Sequence, residues 1–253
     1  MSDAAKAKSV DPGEIANFAA MADEWWDENG KFKPLHKFNP IRIGYIRDTV
    51  IDHFGLQLDS AVVKLKPFDG LRILDIGCGG GLLSEPMARL GATVVAADAS
   101  EKNIQIAALH AEKSGLKIDY RHSTAEELAA ASEKFDVILN MEVIEHVADI
   151  AGFVEACSTL LKPGGIMFIA TLNRTAKSFA FAIVGAEYIL RWLPKGTHNW
   201  KKFLKPSEVA RLVRANGLVV RDISGAIYNP FEDRWRIGKD LSVNYMLAAV
   251  NPE

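Results

Sequence analysis

From Leu71 onward, short apolar runs alternate with amphipathic stretches, and that alternation predicts most of the architecture. Residues 72–76, 93–97, 118–121, 135–140 and 166–171 are compact apolar runs of strand length. Residues 83–90, 101–114 and 150–161 carry apolar positions at helical spacing between most of them. Such alternation implies a parallel sheet covered on both faces. Residues 206–216 then predict another helix, and 218–223 and 243–250 two further strands. No helical pattern separates those two strands, so they are expected to pair antiparallel around a long excursion. Upstream, Ile15, Phe18, Met21 and Trp25 recur at spacings of three and four, which predicts a helix from Glu14 to about Asn29-Gly30. The stretch 32–40 contains Pro34 and Pro40 and reads as irregular, with a second helix from Ile41 towards Phe54.

This pattern predicts a frayed polar tail at 1–13, an N-terminal helical cap at 14–68, and an α/β domain at 69–253 with an insertion at about 174–205. Composition then excludes several functions. Among 253 residues, Lys plus Arg is 30 and Asp plus Glu is 32, a formal net charge of −2. No global positive field gathers polyanions, so nucleic acid is not an expected partner. Cys78 and Cys157 form neither a CxxC pair nor a zinc spacing and are expected as reduced thiols of a cytoplasmic protein. The first ten residues carry no apolar run, so no signal peptide is expected. The long apolar stretch near 178–193 includes Glu187 and Arg191 and is short for a membrane span.

Candidate chemistry begins where the first strand ends. Leu74-Asp75-Ile76-Gly77 runs into Cys78-Gly79-Gly80-Gly81. Glycines there let the backbone turn sharply and approach a ligand closely, and the helix beyond starts with free N–H groups. Dinucleotide enzymes use the same device, and a plain tight turn would also account for it. Two features favour a cationic nucleoside over a diphosphate. The spacing departs from G-x-G-x-x-G, and the Asp75 carboxylate would repel a diphosphate while suiting a sulfonium and an ammonium. Asp98 closes the second strand, where a carboxylate can accept hydrogen bonds from both ribose hydroxyls. Its plain alternative is a helix cap.

ILDIGCGGG, VVAAD, FDVILNMEVIEH and LKPGGIMFIATLN, in that order, resemble the motifs of class I S-adenosylmethionine-dependent methyltransferases. The resemblance implies a Rossmann-like seven-stranded sheet with its last strand antiparallel. It implies S-adenosylmethionine as co-substrate, with Gly77 and Gly79 facing its methionine part, Asp98 its ribose, Met141 in contact, and Ser123–Glu126 near the adenine. A narrower resemblance covers the chain from about Ile15 to Ala248. Trp25-Trp26-Asp27, Gly30–His36, Asn39–Arg42, Val184–Arg191, Pro194–His198, Tyr228-Asn229-Pro230 and Val243–Met246 are similar to the ubiquinone-biosynthesis O-methyltransferases, which methylate polyprenyl catechols. By that resemblance Arg42 contacts the cofactor, and a guanidinium fork suits its carboxylate.

Glu142, Glu145 and His146 follow the fourth strand, where open α/β sheets place their ligands. On a helical turn they would share one face and could hold a divalent cation such as Mg²⁺, which would favour the phenolate. Alternatively His146 alone is the general base for a hydroxyl whose ordinary pKa is about 10. The plain reading makes the glutamates first-turn residues favoured by the helix dipole and His146 a packing residue. The apolar run from Ser178 to Trp192 is flanked by Arg174, Lys177, Arg191, Lys195, Lys201, Lys202 and Lys205. A core helix would explain it. An apolar segment ringed by cations also suits an anionic membrane surface, which residues 178–202 are expected to contact from the cytoplasmic side. A ubiquinone-biosynthesis complex is a further expected partner. Two other functions stay open at this point: a class I methyltransferase of another soluble small molecule, and a cofactor-binding scaffold of a membrane-associated complex.

Overall fold

A computed structural model describes residues 9–57, 65–180, 200–230 and 232–252. Its strands are β1 (Arg72–Ile76), β2 (Thr93–Asp98), β3 (Asp119–His122), β4 (Phe135–Met141), β5 (Leu161–Leu172), β6 (Val219–Asn229), β7 (Arg234–Gly238) and β8 (Asn244–Val250). They form one sheet in the order β3-β2-β1-β4-β5-β8-β6-β7. β1 to β5 run parallel, and β8 lies antiparallel between β5 and β6. This is the expected seven-stranded sheet, extended by β7 at its edge.

β7 falls inside the excursion that the hydrophobic pattern left without a strand. Its sequence, Arg-Trp-Arg-Ile-Gly, places exposed arginines at alternate positions and offers little apolar signal. It forms by pairing with β6, from Gly225↔Gly238 to Asn229↔Arg234, and by packing Trp235 against Phe38 of the long N-terminal helix at 4.6 Å.

Side chains alternate across the sheet, so the central strands β1, β2, β4, β5 and β8 feed two cores. Leu74, Ile76, Val95, Ile138, Met167, Ile169 and Leu247 face one side. There they meet Leu128 of α5 (Ala125–Ala130), Phe153 and Cys157 of α6 (Ile150–Leu160), and Val209 and Val213 of α7 (Pro206–Ala215). Ile73, Val94, Val137, Leu139, Phe168 and Met246 face the other. That side is covered by Ile46 and Val50 of α2 (Lys33–Phe54), Met87 of α3 (Ser84–Arg89) and Ile104 of α4 (Glu101–Lys113).

The N-terminal helices differ from their sequence expectation. α1 (Pro12–Met21) starts at Pro12, with Asp11 accepting from the Gly13 and Glu14 amides at 3.0 and 3.4 Å, and gives way to a 3-10 turn at Ala22–Glu24. Trp25 and Trp26 then leave the helical track, which lets two adjacent indoles find different partners. α2 begins at Lys33 rather than Ile41, because Pro34 falls in the first turn, where no amide is needed. Pro40 lies inside α2.

No helix among the described residues is long and apolar enough to cross a membrane. The central part of the expected insertion, residues 181–199, lies outside the described residues. Its two ends meet: the Trp200 indole donates to the Thr175 carbonyl at 2.9 Å and packs edge-on to Phe179.

Candidate active site

The strand order reverses between β1 and β4, and ligands of open α/β sheets sit at that crevice. The glycine loop leaves β1 there. The Gly77 and Cys78 amides donate to the Ala97 carbonyl at 2.7 and 3.1 Å, tying the loop to the end of β2. Gly77 and Gly79 have φ of 70° and 54°, in the region that favours glycine. Space is equally restrictive. A Cβ on Gly77 would lie 2.5 Å from a Val143 methyl, and one on Gly79 2.5 Å from the Trp25 ring.

Asp98 accepts from the Gly79 amide at 2.9 Å through one oxygen. The other takes the Ser100 amide at 2.8 Å and the Asn103 side chain at 3.2 Å. Burial pushes its carboxyl up against these donors. Asp98 therefore organises the loop and α4 while its carboxylate retains acceptor capacity towards the cavity, which suits a ribose diol. Asn103 also accepts from the Trp25 indole at 3.1 Å. Trp25 stacks on Phe32 at 3.7 Å between ring centroids, and Trp26 on His110 at 3.5 Å.

Two buried ionisable groups, Asp75 and Arg42, line the same cavity as the loop. Asp75 accepts from the Ser84 hydroxyl at 2.5 Å, and burial raises its pKa to about 6. Arg42 is buried, donates to Asn39 Oδ1 at 2.6 Å, and leaves Nε without a partner. Burial lowers its pKa, while Glu142 and Asp75 favour its charge. An enclosed guanidinium with a spare N–H beside a carboxylate fits a zwitterionic amino-acid moiety, and the glycine loop admits the rest of such a nucleoside. The residue set therefore fits the expected cofactor chemistry.

Glu142, Glu145 and His146 follow the end of β4. Glu142 follows at φ 61°, its amide donating to the Ala170 carbonyl at 2.9 Å, and Ile144–His146 form a 3-10 turn. The expected helical face is thus replaced by a left-handed residue and a tight turn. Burial, then the neighbouring Glu145, raises the Glu142 pKa to about 8; burial raises Glu145 too. Glu142 Oε1 and Glu145 Oε2 are buried without a partner. His146 turns its Nδ1 to Glu14 Oε2 at 3.2 Å, with Phe18 edge-on to the imidazole at 5.1 Å. Burial opposes the imidazolium, but the Glu14 hydrogen bond and the surrounding carboxylates outweigh it and raise the pKa. The His146 hydrogen bond in turn lowers Glu14 to about 2. Among the described residues no group of three or more His, Cys, Asp or Glu is arranged to hold a metal ion. The expectation that Glu142, Glu145 and His146 present a ready three-ligand Mg²⁺ set is corrected accordingly: the tight turn gives them no common face, and His146 Nδ1 is already engaged.

One cavity brings these groups together. Arg42, Asp75, Gly77, Gly79, Asp98, Met141, Glu142, Glu145 and His146 all line it, as do Ser123, Thr124, Ala125 and Glu126. Glu14 and Asn103 line it as well and had no sequence signal as site residues. Glu14 reads only as an acidic first-turn residue, and its link to His146 spans 132 positions.

Comparison with known proteins places this site in a family. Residues 51–223 match the family model described as "Methyltransferase domain". A ubiquinone biosynthesis O-methyltransferase from Parvibaculum lavamentivorans is 62% identical over 98% of this chain and 96% of its own length. One from Chelativorans sp. is 59% identical over the same shares, 98% and 96%. The crystal structure of magnesium protoporphyrin IX methyltransferase from Synechocystis PCC 6803, with bound S-adenosylhomocysteine, superposes with a TM-score of 0.56 at 19% identity, covering 83% of this chain and 85% of that one. This last likeness concerns the fold alone. With nearly its whole length matched at such identities, the chain belongs to the ubiquinone biosynthesis O-methyltransferase family.

Proposed function

We propose that this O-methyltransferase transfers the methyl group of S-adenosylmethionine to a phenolic hydroxyl of polyprenyl catechols, 2-polyprenyl-6-hydroxyphenol and 3-demethylubiquinol, with His146 as general base. One observation carries the reading: the glycine loop and His146 line the same cavity, and Val143, three residues before His146, packs on Gly77. Arg42 and Asp75 bind the carboxylate and ammonium of the cofactor, Asp98 its ribose, and Gly77, Gly79 and Met141 flank its methionine part. The sulfonium supplies an activated methyl group, so the chain has to orient the acceptor in line and deprotonate it. With Nδ1–H held by Glu14, His146 presents Nε2 to the acceptor hydroxyl and takes its proton as the oxygen attacks.

The unpartnered oxygens of Glu142 and Glu145 favour a divalent cation as well. Two buried carboxylates of like charge need a proton or a cation, and oxygen donors suit Mg²⁺. Glu142 and Glu145 would hold it, and the ion would supply positive charge beside the phenolate while His146 stays with Glu14 as the base. The assay is methyl transfer to a prenylated catechol and to its unprenylated counterpart. Transfer is expected to favour the prenylated acceptor, to fall by roughly 10²–10⁴-fold in His146→Asn with cofactor binding retained, and to fall on EDTA treatment and recover with Mg²⁺. Equal rates on both acceptors would remove the substrate assignment, and undiminished turnover after demetallation the ion.

Residues 178–202 would rest on an anionic membrane from the cytoplasmic side, giving access to a lipid-dissolved acceptor and to partners in a ubiquinone-biosynthesis complex. The apolar run supports this more than the flanking cations do. Arg174 is paired with Glu208, Lys177 with Asp240, and Lys202 with Asp11 and Glu14.

A further inference from the structure

We infer that Glu14 is the positioning residue of His146 and that Lys202, at the downstream end of the 174–205 insertion, holds Glu14 in place. This rests on the reading of His146 as general base. The Glu14 carboxylate is divided between the two: Oε2 meets His146 Nδ1 at 3.2 Å, and Oε1 takes the Lys202 ammonium at 2.8 Å. Lys202 also reaches Asp11, the N-cap of α1, at 3.2 Å. Three segments far apart in sequence thus converge through one carboxylate: the start of α1, the turn after β4 and the exit of the insertion.

The start of α1 is strapped to the same turn by independent contacts. The Ala148 amide donates to the Ser9 carbonyl at 2.7 Å, and the Ser9 hydroxyl bonds Glu126 of α5. Phe18, one turn after Glu14, closes on the imidazole edge-on. The ring is therefore fixed by a hydrogen bond at one nitrogen and by an aromatic contact, leaving Nε2 for the acceptor. A base held in this way keeps one tautomer and one direction, the role a buried carboxylate plays behind a catalytic histidine. Because Lys202 lies just past Trp200, which closes the neck of the insertion on Thr175, the segment expected to meet the lipid is tied to the alignment of the base.

The test uses the full-length enzyme and compares Glu14→Ala, Glu14→Gln, Lys202→Met and His146→Asn. Acceptor kcat and KM are measured together with cofactor Kd and Tm. In Glu14→Ala, kcat is expected to fall about 10- to 100-fold, less than on loss of the base itself, with KM and cofactor Kd within about twofold. Glu14→Gln keeps an acceptor for Nδ1–H and should recover most of that loss. Lys202→Met should lower kcat by a smaller factor, and adding it to Glu14→Ala should cost nothing more, since both act through one contact. Wild-type kcat in Glu14→Ala alongside an inactive His146→Asn overturns the inference while leaving the base intact. Parallel losses in Tm, KM and cofactor binding overturn it too, because they mark a purely structural tie. Undiminished kcat in Lys202→Met overturns the link to the insertion. Full activity in His146→Asn instead overturns the base on which the inference rests.

Discussion

Gly79 turns the backbone at φ 54° with the Trp25 ring where a Cβ would have to go. Alanine there meets two penalties, an unfavourable backbone region and a clash with a ring that is itself pinned by Phe32 and Asn103. Gly44, inside α2, has nothing within 4 Å of its notional Cβ. The two substitutions should therefore move stability in opposite directions. Gly79→Ala is expected to destabilise by about 1–3 kcal/mol and weaken cofactor binding. Gly44→Ala should stabilise by roughly 0.5–1 kcal/mol with binding unchanged. Denaturant melts and calorimetric titration of both variants check this; equal effects of one sign would show that the loop does not need its glycine. At this scale the glycine loop, Asp75 and Asp98 were legible, because motif chemistry resides in residue type and local spacing. Glu14 was not legible, because its meaning depends on His146, which lies in another element.

The link between cap and loop is an arrangement of elements. α1 and its 3-10 turn deliver Trp25 onto the glycine loop and Trp26 beside it, where the Trp26 indole donates to the Gly80 carbonyl at 2.9 Å. Trp25 is buried, so truncation leaves a cavity under the loop. Trp25→Ala is expected to cost about 3–5 kcal/mol and to lower cofactor affinity. Melting temperature and titration again read it; a stable variant with full affinity would show that the cap does not brace the loop. The hydrophobic spacing gave the existence of both N-terminal helices but misplaced their ends. Local rules treat a proline-containing stretch as irregular, whereas packing of α2 on the sheet, with Pro34 harmless in the first turn, carries the helix through it.

The whole molecule presents a sheet whose central strands are buried on both faces, a cavity at the strand reversal, and a contact between Trp200 and Thr175 that brings Lys202 to Glu14 at that cavity. Docking on lipid belongs to this scale, since it needs an apolar segment placed where the acceptor can pass from bilayer to site. Sedimentation with phosphatidylglycerol-containing vesicles is expected to carry the enzyme down at low salt. Binding should persist largely as ionic strength rises from about 0.1 to about 1 M, where the Debye length shrinks from ~10 to ~3 Å, because the apolar run rather than the internally paired cations carries it. Deleting residues 178–199, which spares Lys202, should abolish it. Unchanged binding in the deletion would move the lipid contact elsewhere on the surface.

The order of strands and helices, the glycine loop and its acidic partners followed from the sequence alone, since hydrophobic period and loop chemistry act over a few residues. β7, the reach of α2 through two prolines, and the left-handed Glu142 that breaks the expected helical face were decided by tertiary structure. So was the joining of Glu14, Lys202 and His146. Each depends on a neighbour distant in the chain, a sheet edge to pair with, a face to cover or a charge to meet, and no local pattern encodes such a neighbour.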